Sequence, residues 1–416
     1  MTGQSSPRRV VVVGAGMVGL SCAWFLQEHG ADVTVLERSA VGAGASWGNA
    51  GYLTPAMVGP LPEPALLREG VQSLLTRGSP VALSGRLSAT TLAFLAGFAR
   101  NSTAPRWRRG MAALGRLAVD SLGAFDELAK GGVPAEVHER NIRIGFTAGQ
   151  DTAGLEHEFA AARATGQEVS HWTSAGHEPP FSDRITQILH LEGQRFVAPG
   201  PFLDALAGSV RERGGEIVEG AAVRSVGFGP GDLQVDTWTR PPHRADAVVL
   251  ATGAWLPELA RRLGVRVPVQ AGRGYSCSIR LAEPLTGPVY LPGARVALTP
   301  YGERVRVAGT MEIADRDAPF DRHRLEAILR SIHPLIDGAD WDDVREPWVG
   351  PRPLTPDGLP LIGATNVAGV HVAGGHGMWG VTLGPVTGKL LAGQIMSGTA
   401  APELTPFDPL RRGWTR

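Results

Sequence analysis

Three glycines near the N-terminus have the spacing of a dinucleotide-binding turn. Gly14, Gly16 and Gly19 come directly after an apolar run and lie where a helical pattern opens at Met17 and Val18. The first two glycines allow a tight turn and the close approach of a pyrophosphate, and the third allows helix and strand to pack closely. The N-terminus of such a helix attracts phosphate through its free N–H groups. The motif therefore predicts a pyrophosphate site.

A carboxylate stands where the adenosine ribose of a dinucleotide would lie. Glu37 is 18 residues after Gly19, at the end of the second predicted strand. A carboxylate there accepts hydrogen bonds from both ribose hydroxyls and repels a 2′-phosphate. A glycine cluster also arises by chance, but here strand, helix and acid stand in register, which favours an adenine dinucleotide without a 2′-phosphate.

The fingerprint does not distinguish NAD from FAD, but three further glycine-rich turns favour the longer cofactor. One follows Glu37, one ends an apolar strand at Gly253, and one precedes a helix expected to begin at Pro385. The N-terminus of that helix offers a positive dipole to the negative charge of a reduced flavin. Each turn alone is also explained as a purely structural turn. Together they predict FAD, and the cofactor-binding residues predicted beyond the fingerprint and Glu37 are Arg38, Gly44, Ala45, Ser46, Asn49, Ala50, Gly51, Val223, Ala251, Thr252, Gly253, Arg352, Gly375, His376, Gly377 and Met378.

The composition excludes several classes of protein. The 416 residues carry 40 Lys+Arg and 40 Asp+Glu, so the chain lacks the excess positive charge that nucleic-acid binding requires. Two cysteines, Cys22 and Cys277, are too few for a disulfide framework or a cysteine-rich zinc site. No cluster of His, Cys and Asp has the spacing of metal ligands. We therefore expect a cytoplasmic protein that binds neither nucleic acid nor a structural metal.

Hydrophobic periodicity predicts the elements that position these residues. Segments 9–13, 17–29 and 32–37 form a strand, a helix and a strand, and the apolar run 247–253 is a buried parallel strand beside them. Alternating patterns over 267–281, 294–298 and 304–311 predict a second, antiparallel layer. Further strands are predicted over 141–147, 187–190, 216–218, 222–228 and 370–373, and further helices over 64–75, 87–98, 111–129, 201–213, 322–332 and 385–395.

The predicted fold class is α/β, and α+β overall. A Rossmann-like FAD-binding domain is interleaved with a substrate domain that has a mixed or antiparallel sheet and carries a helical insertion. The FAD-binding domain is predicted over 1–56, 190–260 and 348–416, and the substrate domain over 57–189 and 261–347.

Beyond these patterns, the chain resembles the superfamily of FAD-dependent D-amino-acid oxidases, and within it the bacterial D-amino-acid dehydrogenases, over nearly its whole length. The resemblance implies a flavin-binding domain, a substrate domain and the oxidation of an amine alpha to a carboxylate. The segments that carry it are Val11–Gly19, Glu37-Arg38 with Gly44-Ala45-Ser46 and Asn49-Ala50-Gly51, Arg273-Gly274-Tyr275-Ser276, Val307–Glu312, Gly350-Pro351-Arg352-Pro353 with Pro356-Asp357, Pro360 and Gly363, and Gly375-His376-Gly377.

The resemblance assigns catalytic roles to Arg352, Tyr275 and His376. The counterpart of Arg352 grips the substrate carboxylate, a task suited to a planar, permanently charged fork, although an arginine in a proline-rich turn is also found simply at a surface. Tyr275 lends its phenol to the same carboxylate or covers the site, or else it belongs to the core. His376 borders the flavin or the substrate, or is merely exposed. Glu312, a weaker candidate, pairs with the substrate ammonium or is solvated.

One departure from the family's pattern concerns how the flavin is held. Members with covalent flavin carry a cysteine two positions before the residue that matches Arg352, and this chain has Gly350 there. We therefore expect FAD to be bound non-covalently.

These residues predict FAD-dependent oxidative deamination of D-amino acids. A hydride passes from Cα to flavin N5, the imino acid is hydrolysed to a 2-oxo acid and ammonia, and the electrons go to a quinone or another acceptor such as dioxygen. The alternative substrate is a secondary amino acid such as sarcosine, another N-alkyl glycine or a D-proline derivative. A redox-silent flavoprotein is a hypothesis from another class. Residues 66–109 combine apolar helical faces with arginines, which is typical either of peripheral contact with the inner face of the plasma membrane or of an ordinary helical insertion.

Overall fold

The computed structural model describes residues 8–64, 81–84, 88–176, 178–229 and 232–412. The helix predicted over 64–75 lies almost entirely outside the described residues. The strands are β1 Arg9–Val13, β2 Asp32–Leu36, β3 Tyr52–Leu53, β4 Val81–Leu83, β5 His138–Glu139, β6 Ile142–Thr147, β7 His171–Ala175, β8 Ile185–Leu191, β9 Arg195–Phe196, β10 Glu216–Val218, β11 Val223–Phe228, β12 Leu233–Thr237, β13 His243–Ala245, β14 Ala247–Leu250, β15 Gln270–Leu281, β16 Val289–Leu291, β17 Val296–Tyr301, β18 Arg304–Ile313, β19 Ala339–Leu354, β20 Leu361–Ala364 and β21 Val370–Gly374. The helices are α1 Met17–Glu28, α2 Ala89–Asn101, α3 Ala104–Val119, α4 Ser121–Lys130, α5 Ala153–Arg163, α6 Pro199–Glu212, α7 Leu256–Ala260, α8 Arg322–Ile332 and α9 Gly380–Ser397.

A six-stranded sheet is built around the apolar strand β1. Its order is β10-β2-β1-β14-β21-β20, and β1 pairs in parallel with β2 on one side and with β14 on the other. Because side chains alternate across a strand, Val10 and Val12 enter one core while Val11 and Val13 enter another. Only β20, at the edge, is antiparallel to its neighbour. The predicted Rossmann-like sheet is confirmed, and the carboxyl ends of β1, β14 and β21 meet at one edge of it.

Helices α1 and α9 pack closely together because two glycines of α9 leave no side chain between them. A Cβ on Gly384 would lie 2.7 Å from Cγ of Met17, and one on Gly388 would lie 2.6 Å from the backbone carbon of Ser21. The prediction that this helix begins at Pro385 is wrong, since α9 begins at Gly380 and contains the proline. Burial of α9 against α1 holds the proline inside the helix despite the backbone hydrogen bond that it removes.

A nine-stranded sheet forms the second layer. Its order is β19-β15-β18-β17-β16-β6-β8-β7, and β4 adds to β18. The long strand β15 pairs antiparallel with both β18 and β19. Within the described residues, two small sheets complete the β structure, β11-β12-β13 and β3-β9-β5. The predicted division into domains stays a prediction, and its boundary at residue 348 lies inside β19 rather than between two elements.

The turn from Thr355 to Pro360 carries the chain from the nine-stranded sheet to the six-stranded sheet. Arg411, close to the end of the chain, fastens this turn with a bidentate ion pair to Asp357, at 2.8 and 3.0 Å. The same guanidinium donates hydrogen bonds to the carbonyls of Leu359 and Pro360. The junction between the two sheets is therefore held by a residue far away in the sequence.

The helical insertion begins with α2 and α3. The single helix predicted over 111–129 is instead two helices, α3 and α4, separated at Asp120. The Ser121 hydroxyl donates a hydrogen bond to the carbonyl of Ala118, which competes with continuation of the helix. In the described part of the chain, no helix has both the length and the apolar character needed to cross a membrane.

Candidate active site

A cavity of about 570 Å³ lies at the carboxyl ends of β1, β14 and β21. Crevices at this edge of a parallel sheet are the usual ligand sites of such folds. Most of the residues predicted from the sequence line it, namely Gly14, Gly16, Met17, Val18, Glu37, Arg38, Gly44, Ala45, Ser46, Asn49, Val223, Ala251, Thr252, Gly253, Arg352, His376, Gly377 and Met378. The structure thus brings segments from both ends of the chain around one cavity.

Four of the predicted glycines and alanines lie beside this cavity and not in its lining. A Cβ on Gly19 would lie 1.9 Å from the Gly14 carbonyl oxygen, so this glycine allows close packing of helix and strand, as the motif predicts. A Cβ on Gly51 would lie 2.1 Å from the carbonyl oxygen of Val197, and the Ala50 carbonyl accepts a hydrogen bond from the Thr299 hydroxyl. Gly375 lines a small neighbouring cavity. These residues shape the loops and do not reach the cavity.

The glycine turn after β1 leaves room for a phosphate-bearing ligand. Gly14 has a φ of +109°, and a Cβ there would lie 2.5 Å from the carbonyl oxygen of Ala251, so both the backbone conformation and the close approach require glycine. The first turn of α1 contains no acidic residue, and the N–H of Met17 donates to the hydroxyl of Ser46 at 3.2 Å. A helix N-terminus of this kind attracts the negative charge of a pyrophosphate.

The side of the cavity beside Glu37 has the donor and acceptor set of an adenosine site. The two carboxylate oxygens of Glu37 accept hydrogen bonds from the backbone N–H groups of Ala15 and Ser39, at 2.8 and 2.9 Å. This fixes the carboxylate at the end of β2 and leaves lone pairs for ribose hydroxyls. The hydroxyl oxygen of Thr252 also belongs to the cavity wall and is buried without a protein partner among the described residues. Buried polar atoms normally have partners, so this hydroxyl fits a site that a polar cofactor completes.

Two tryptophans of the lining were not predicted from the sequence. Trp238 is 69% exposed, and Trp255 lies under the guanidinium of Arg38 at 4.3 Å from the ring centroid. The indole N–H of Trp255 donates to Asp317, on the loop that follows β18. Sequence reasoning missed both because neither stands in a glycine turn. The only hint was the position of Trp255 two residues after Gly253.

Arg352 projects from β19 across a surface of β15 that glycine keeps bare. Gly272 is paired with Arg352, and Gly274 lies two residues further along the same face. A Cβ on Gly274 would lie 2.1 Å from Nη2, 2.2 Å from Cζ and 2.4 Å from Nη1 of Arg352. The guanidinium therefore lies directly on the backbone of Gly274.

One further contact orients the guanidinium of Arg352. Its Nη1 donates to the carbonyl of Thr310 at 2.9 Å, and Thr310 has the left-handed φ of +64°, rare for a β-branched residue. Burial lowers the pKa of Arg352 to about 10, which leaves the group cationic at neutral pH. No carboxylate of the described residues forms an ion pair with it, so it is free to bind an anion.

His376 lies in the glycine loop before α9 and is buried. Its Nε2 and the hydroxyl oxygen of Thr387 lie 3.0 Å apart in a hydrogen bond. Burial lowers the pKa of His376 to about 3, so the imidazole is neutral at working pH. The first turn of α9 has no acidic residue and no side-chain cap, and its residues Gly380 and Val381 line the cavity. Backbone dipoles and not a histidine cation therefore supply positive potential here.

Tyr275 does not line the cavity and lies in the core, the alternative that its place in a strand left open. Its side chain is fully buried, and its hydroxyl donates to Glu312 Oε2 at 2.7 Å. Arg273 donates to the same oxygen at 3.1 Å, so Glu312 is occupied as well and does not face the cavity. Because Arg273 and Tyr275 are two residues apart, they share the face of β15 opposite to Gly274. Burial and the Glu312 carboxylate raise the pKa of Tyr275.

Neither cysteine lines the cavity, since Cys22 and Cys277 are both buried elsewhere. Burial raises the pKa of each thiol to about 12. That FAD is held without a covalent bond stays a prediction. The cradle at Gly14, the fixed carboxylate of Glu37 and the free hydroxyl of Thr252 all fit such a cofactor.

Comparison with known proteins identifies the family. A family model described as DAO, FAD dependent oxidoreductase, matches residues 9–394. A D-amino acid dehydrogenase of Cereibacter sphaeroides is 30% identical over 411 residues, which covers 96% of this chain and 94% of the relative. Among solved structures, glycine oxidase from Geobacillus kaustophilus has a TM-score of 0.72 at 23% identity and covers 97% of this chain and 99% of its own. L-proline dehydrogenase from P. horikoshii has a TM-score of 0.67 at 16% identity and covers 99% and 100%.

The two structural likenesses show the fold, and the family match shows the cofactor and the class of enzyme. The predictions of FAD and of an oxidoreductase are thereby confirmed. The chain belongs to the DAO family of FAD-dependent oxidoreductases and is an amino-acid oxidoreductase similar to D-amino acid dehydrogenases.

Proposed function

We propose that this enzyme oxidises D-amino acids to 2-oxo acids and ammonia. The observation that carries the proposal is the guanidinium of Arg352, which lines the cofactor cavity with no described carboxylate paired to it. An unpaired arginine beside a cofactor is costly to keep unless a ligand supplies the anion. Its remaining donors are arranged to hold a carboxylate in bidentate fashion. The D configuration and the primary amine are supported by the similarity to D-amino acid dehydrogenases.

In the proposed reaction, FAD supplies an acceptor for a hydride from the substrate Cα. The Cα–H bond breaks with its electron pair, a C=N bond forms, and the amine releases its proton to solvent. Water then adds to the imino acid and ammonia leaves. The protein's part is to fix the carboxylate on Arg352 so that Cα faces the cofactor, and this positioning accounts for most of the rate. Burial lowers the pKa of His376 to about 3, which makes it a poor base at neutral pH, so the proposed reaction assigns no proton to it.

An anaerobic absorbance titration tests the proposal. The flavin-loaded protein is mixed with D-amino acids, their L-enantiomers, sarcosine and glycine, and bleaching of the visible flavin band is followed. We expect bleaching by D-amino acids and a steep rise of KM for them in Arg352→Ala. Arg322→Ala is the control, because the Arg322 side chain is 85% exposed and lies on α8. Unchanged kinetics in Arg352→Ala would remove the basis of the proposal.

The same titration separates the alternatives. Bleaching only by sarcosine, other N-alkyl glycines or D-proline derivatives would assign a secondary amino acid as substrate. A yellow protein that no amine bleaches, although Arg352 still binds carboxylates, would identify a redox-silent flavoprotein. Admission of air or of a quinone analogue to the bleached protein then identifies the electron acceptor from the rate at which the flavin band returns.

We further propose that segment 88–119 contacts an anionic membrane surface when electrons pass to a quinone. This segment contains five arginines and no Asp or Glu, and Arg100, Arg108 and Arg109 are exposed. Trp107, in contrast, is buried and stacked on His157, so it does not belong to the surface. Each basic residue near an anionic bilayer contributes about 1 kcal/mol. We expect the protein to co-sediment with anionic vesicles but not with neutral vesicles. Changing the three exposed arginines to glutamine is expected to abolish this binding. Equal binding by the variant and the unchanged protein contradicts the contact.

A further inference from the structure

The pairing of β15 with β18 contains a β-bulge beside Arg352. Arg273 on β15 is paired with Glu312 on β18, and two residues later Tyr275 is paired with Gly309. In this interval β18 therefore has one residue more than β15. Bulges of this kind bend the strand, re-aim its groups and are frequent next to active sites. The strand that carries Glu312 is thus bent where it passes the proposed carboxylate-binding arginine.

Thr310, inside the bulge, has a backbone conformation that threonine disfavours. Its φ is +64°, and in one common class of bulge this left-handed position is taken by glycine. A β-branched residue in this conformation is strained, and such strain persists only where the surrounding contacts hold it. The carbonyl of Thr310 accepts the hydrogen bond from Nη1 of Arg352 at 2.9 Å. The orientation of the guanidinium therefore depends on the bulge.

A buried hydrogen-bond network spans the bulge on the opposite face of the strands. The Tyr275 hydroxyl donates to Oε2 of Glu312 at 2.7 Å, and Arg273 donates to the same oxygen at 3.1 Å. Arg273, Tyr275 and Glu312 together form the bulge network, and each is at most 3% exposed. Because Tyr275 is paired with Gly309 and not with Glu312, its phenol reaches across the extra residue. The network therefore ties together the two ends of the bulge.

The elements that follow β18 hold the bulge network in place. Oε1 of Glu312 lies 3.5 Å from Nε of Arg324, which belongs to α8. Nη2 of Arg273 donates to the carbonyls of Ala318 and Pro319 at 2.7 and 2.8 Å. No member of the bulge network belongs to the described lining of the cavity. A buried network of satisfied polar groups is rigid, so it fixes the backbone that carries it.

We infer that the bulge network positions Arg352 for carboxylate binding by holding the carbonyl of Thr310 against its guanidinium. This inference rests on the proposed function, in which Arg352 binds the substrate carboxylate. Arg273, Tyr275 and Glu312 are positioning residues, because they act through the backbone of the bulge and do not line the cavity. Tyr275 and Glu312 thereby serve the site without the contacts to substrate that the sequence predicted.

Tyr275→Phe tests the inference, because it removes the hydrogen bond across the bulge and leaves the ion pair of Arg273 with Glu312 in place. Binding of propionate, a carboxylate without an amine, to the FAD-loaded protein is read from the shift of the flavin spectrum. We expect its dissociation constant to rise by about tenfold, the effect of one lost hydrogen bond to a charged group. The dissociation constant of FAD, read from the fluorescence of released flavin, should stay within about twofold.

Tyr52→Phe is the matched control for this variant. It also removes a phenol hydrogen bond, which Tyr52 donates to the carbonyl of Val289 at 2.6 Å, and Tyr52 does not line the cavity. We expect propionate binding to stay within about twofold in the control. Normal propionate binding by Tyr275→Phe, or the same loss in Tyr52→Phe, would overturn the inference.

Combination with Arg352→Ala distinguishes positioning from a general effect on the fold. Without the guanidinium the bulge has nothing to orient, so adding Tyr275→Phe should not weaken propionate binding further. A merely structural role would give the same loss with and without the guanidinium, which would contradict the inference. If Arg352→Ala weakens propionate binding and Tyr275→Phe does not, the inference fails alone. If Arg352→Ala binds propionate normally, the proposed function fails together with the inference.

A rescue variant tests the route through the bulge. Asparagine adopts the left-handed conformation more readily than threonine does, so Thr310→Asn favours the bulge without help from the network. Adding Thr310→Asn to Tyr275→Phe is therefore expected to recover at least about threefold of the lost propionate affinity. Absence of any recovery would contradict a role of the bulge conformation in orienting Arg352.

Discussion

Substitution of Gly274 by alanine is expected to impair carboxylate binding by Arg352 although Arg352 itself is not substituted. The new Cβ would lie 2.1 to 2.4 Å from three atoms of the guanidinium, whereas ordinary contact begins at 3.4 Å. The guanidinium must therefore move by about 1 Å, and a displacement of this size costs on the order of 100-fold in rate. A single charge-assisted hydrogen bond is worth about 1.5–3 kcal/mol, which gives a similar estimate for the loss of binding. We expect kcat/KM for D-amino acids to fall by about 10- to 100-fold.

Stability is expected to change little in Gly274→Ala. The group that must give way is the far end of a flexible side chain bordering a cavity, and alanine is favoured over glycine in a strand by about 0.5–1 kcal/mol. The assay combines steady-state kinetics with titration of an amine-free carboxylate, and urea unfolding serves as the stability measurement. Gly227→Ala is the control, because Gly227 lies in strand β11 with nothing within 4 Å of the new Cβ. The reasoning is refuted if the Gly274→Ala variant binds carboxylates normally. It is also refuted if adding Gly274→Ala to the Arg352→Ala variant weakens carboxylate binding further, because both changes act on the same guanidinium.

Three further predictions concern the cofactor site and the core. Glu37→Gln is expected to raise the dissociation constant of FAD by about tenfold, measured from the fluorescence of released flavin, and an unchanged constant would contradict the adenosine assignment. His376 has a folded-state pKa of about 3, below its ordinary value, so it lowers stability as the pH falls from about 6.5 towards 3. Denaturant titrations at about pH 6 and pH 4 measure the loss of unfolding free energy on acidification. In His376→Asn this loss should be smaller than in the unchanged protein by up to about 1.4 kcal/mol per pH unit. An identical loss in the two proteins contradicts a buried, neutral imidazole. Gly388→Ala is expected to destabilise the protein by about 1–3 kcal/mol because backbone atoms of Ser21 oppose the methyl group, whereas Gly393→Ala, in open space on the same helix, should stabilise it by about 0.5–1 kcal/mol in urea unfolding.

The elements that the sequence predicted well are those set by local patterns. The strand, glycine turn and helix from Arg9 to Glu28 follow from adjacent residues, and the structure agrees with the prediction to within one residue. The start of α9 was predicted five residues late because Pro385 is favoured in a first helical turn. Contacts with α1, which no local pattern records, keep the proline inside the helix instead.

The site was predictable to the extent that glycine marks close approach. Gly14 and Gly377 were predicted from glycine turns and line the cavity, whereas Trp238 and Trp255 reach the cavity only through long-range packing. The sequence left open whether Tyr275 faces the site or the core, because the face of a strand depends on its register. A bulge in the pairing of β15 with β18, between Arg273 and Tyr275, adds to that uncertainty.

The six-residue turn from Thr355 to Pro360 has a mechanical consequence. Arg352 lies on β19 of the nine-stranded sheet, while the cavity lies at the carboxyl ends of β1, β14 and β21 of the six-stranded sheet. The turn begins only three residues after Arg352. The turn is thus the direct covalent connection between the strand that carries Arg352 and the sheet at whose edge the cavity lies. By bonding Asp357 and the carbonyls of Leu359 and Pro360, Arg411 therefore fixes this turn from outside the cavity. Arg411, which lines no part of the cavity, thus acts on the placement of Arg352 through the chain that follows it.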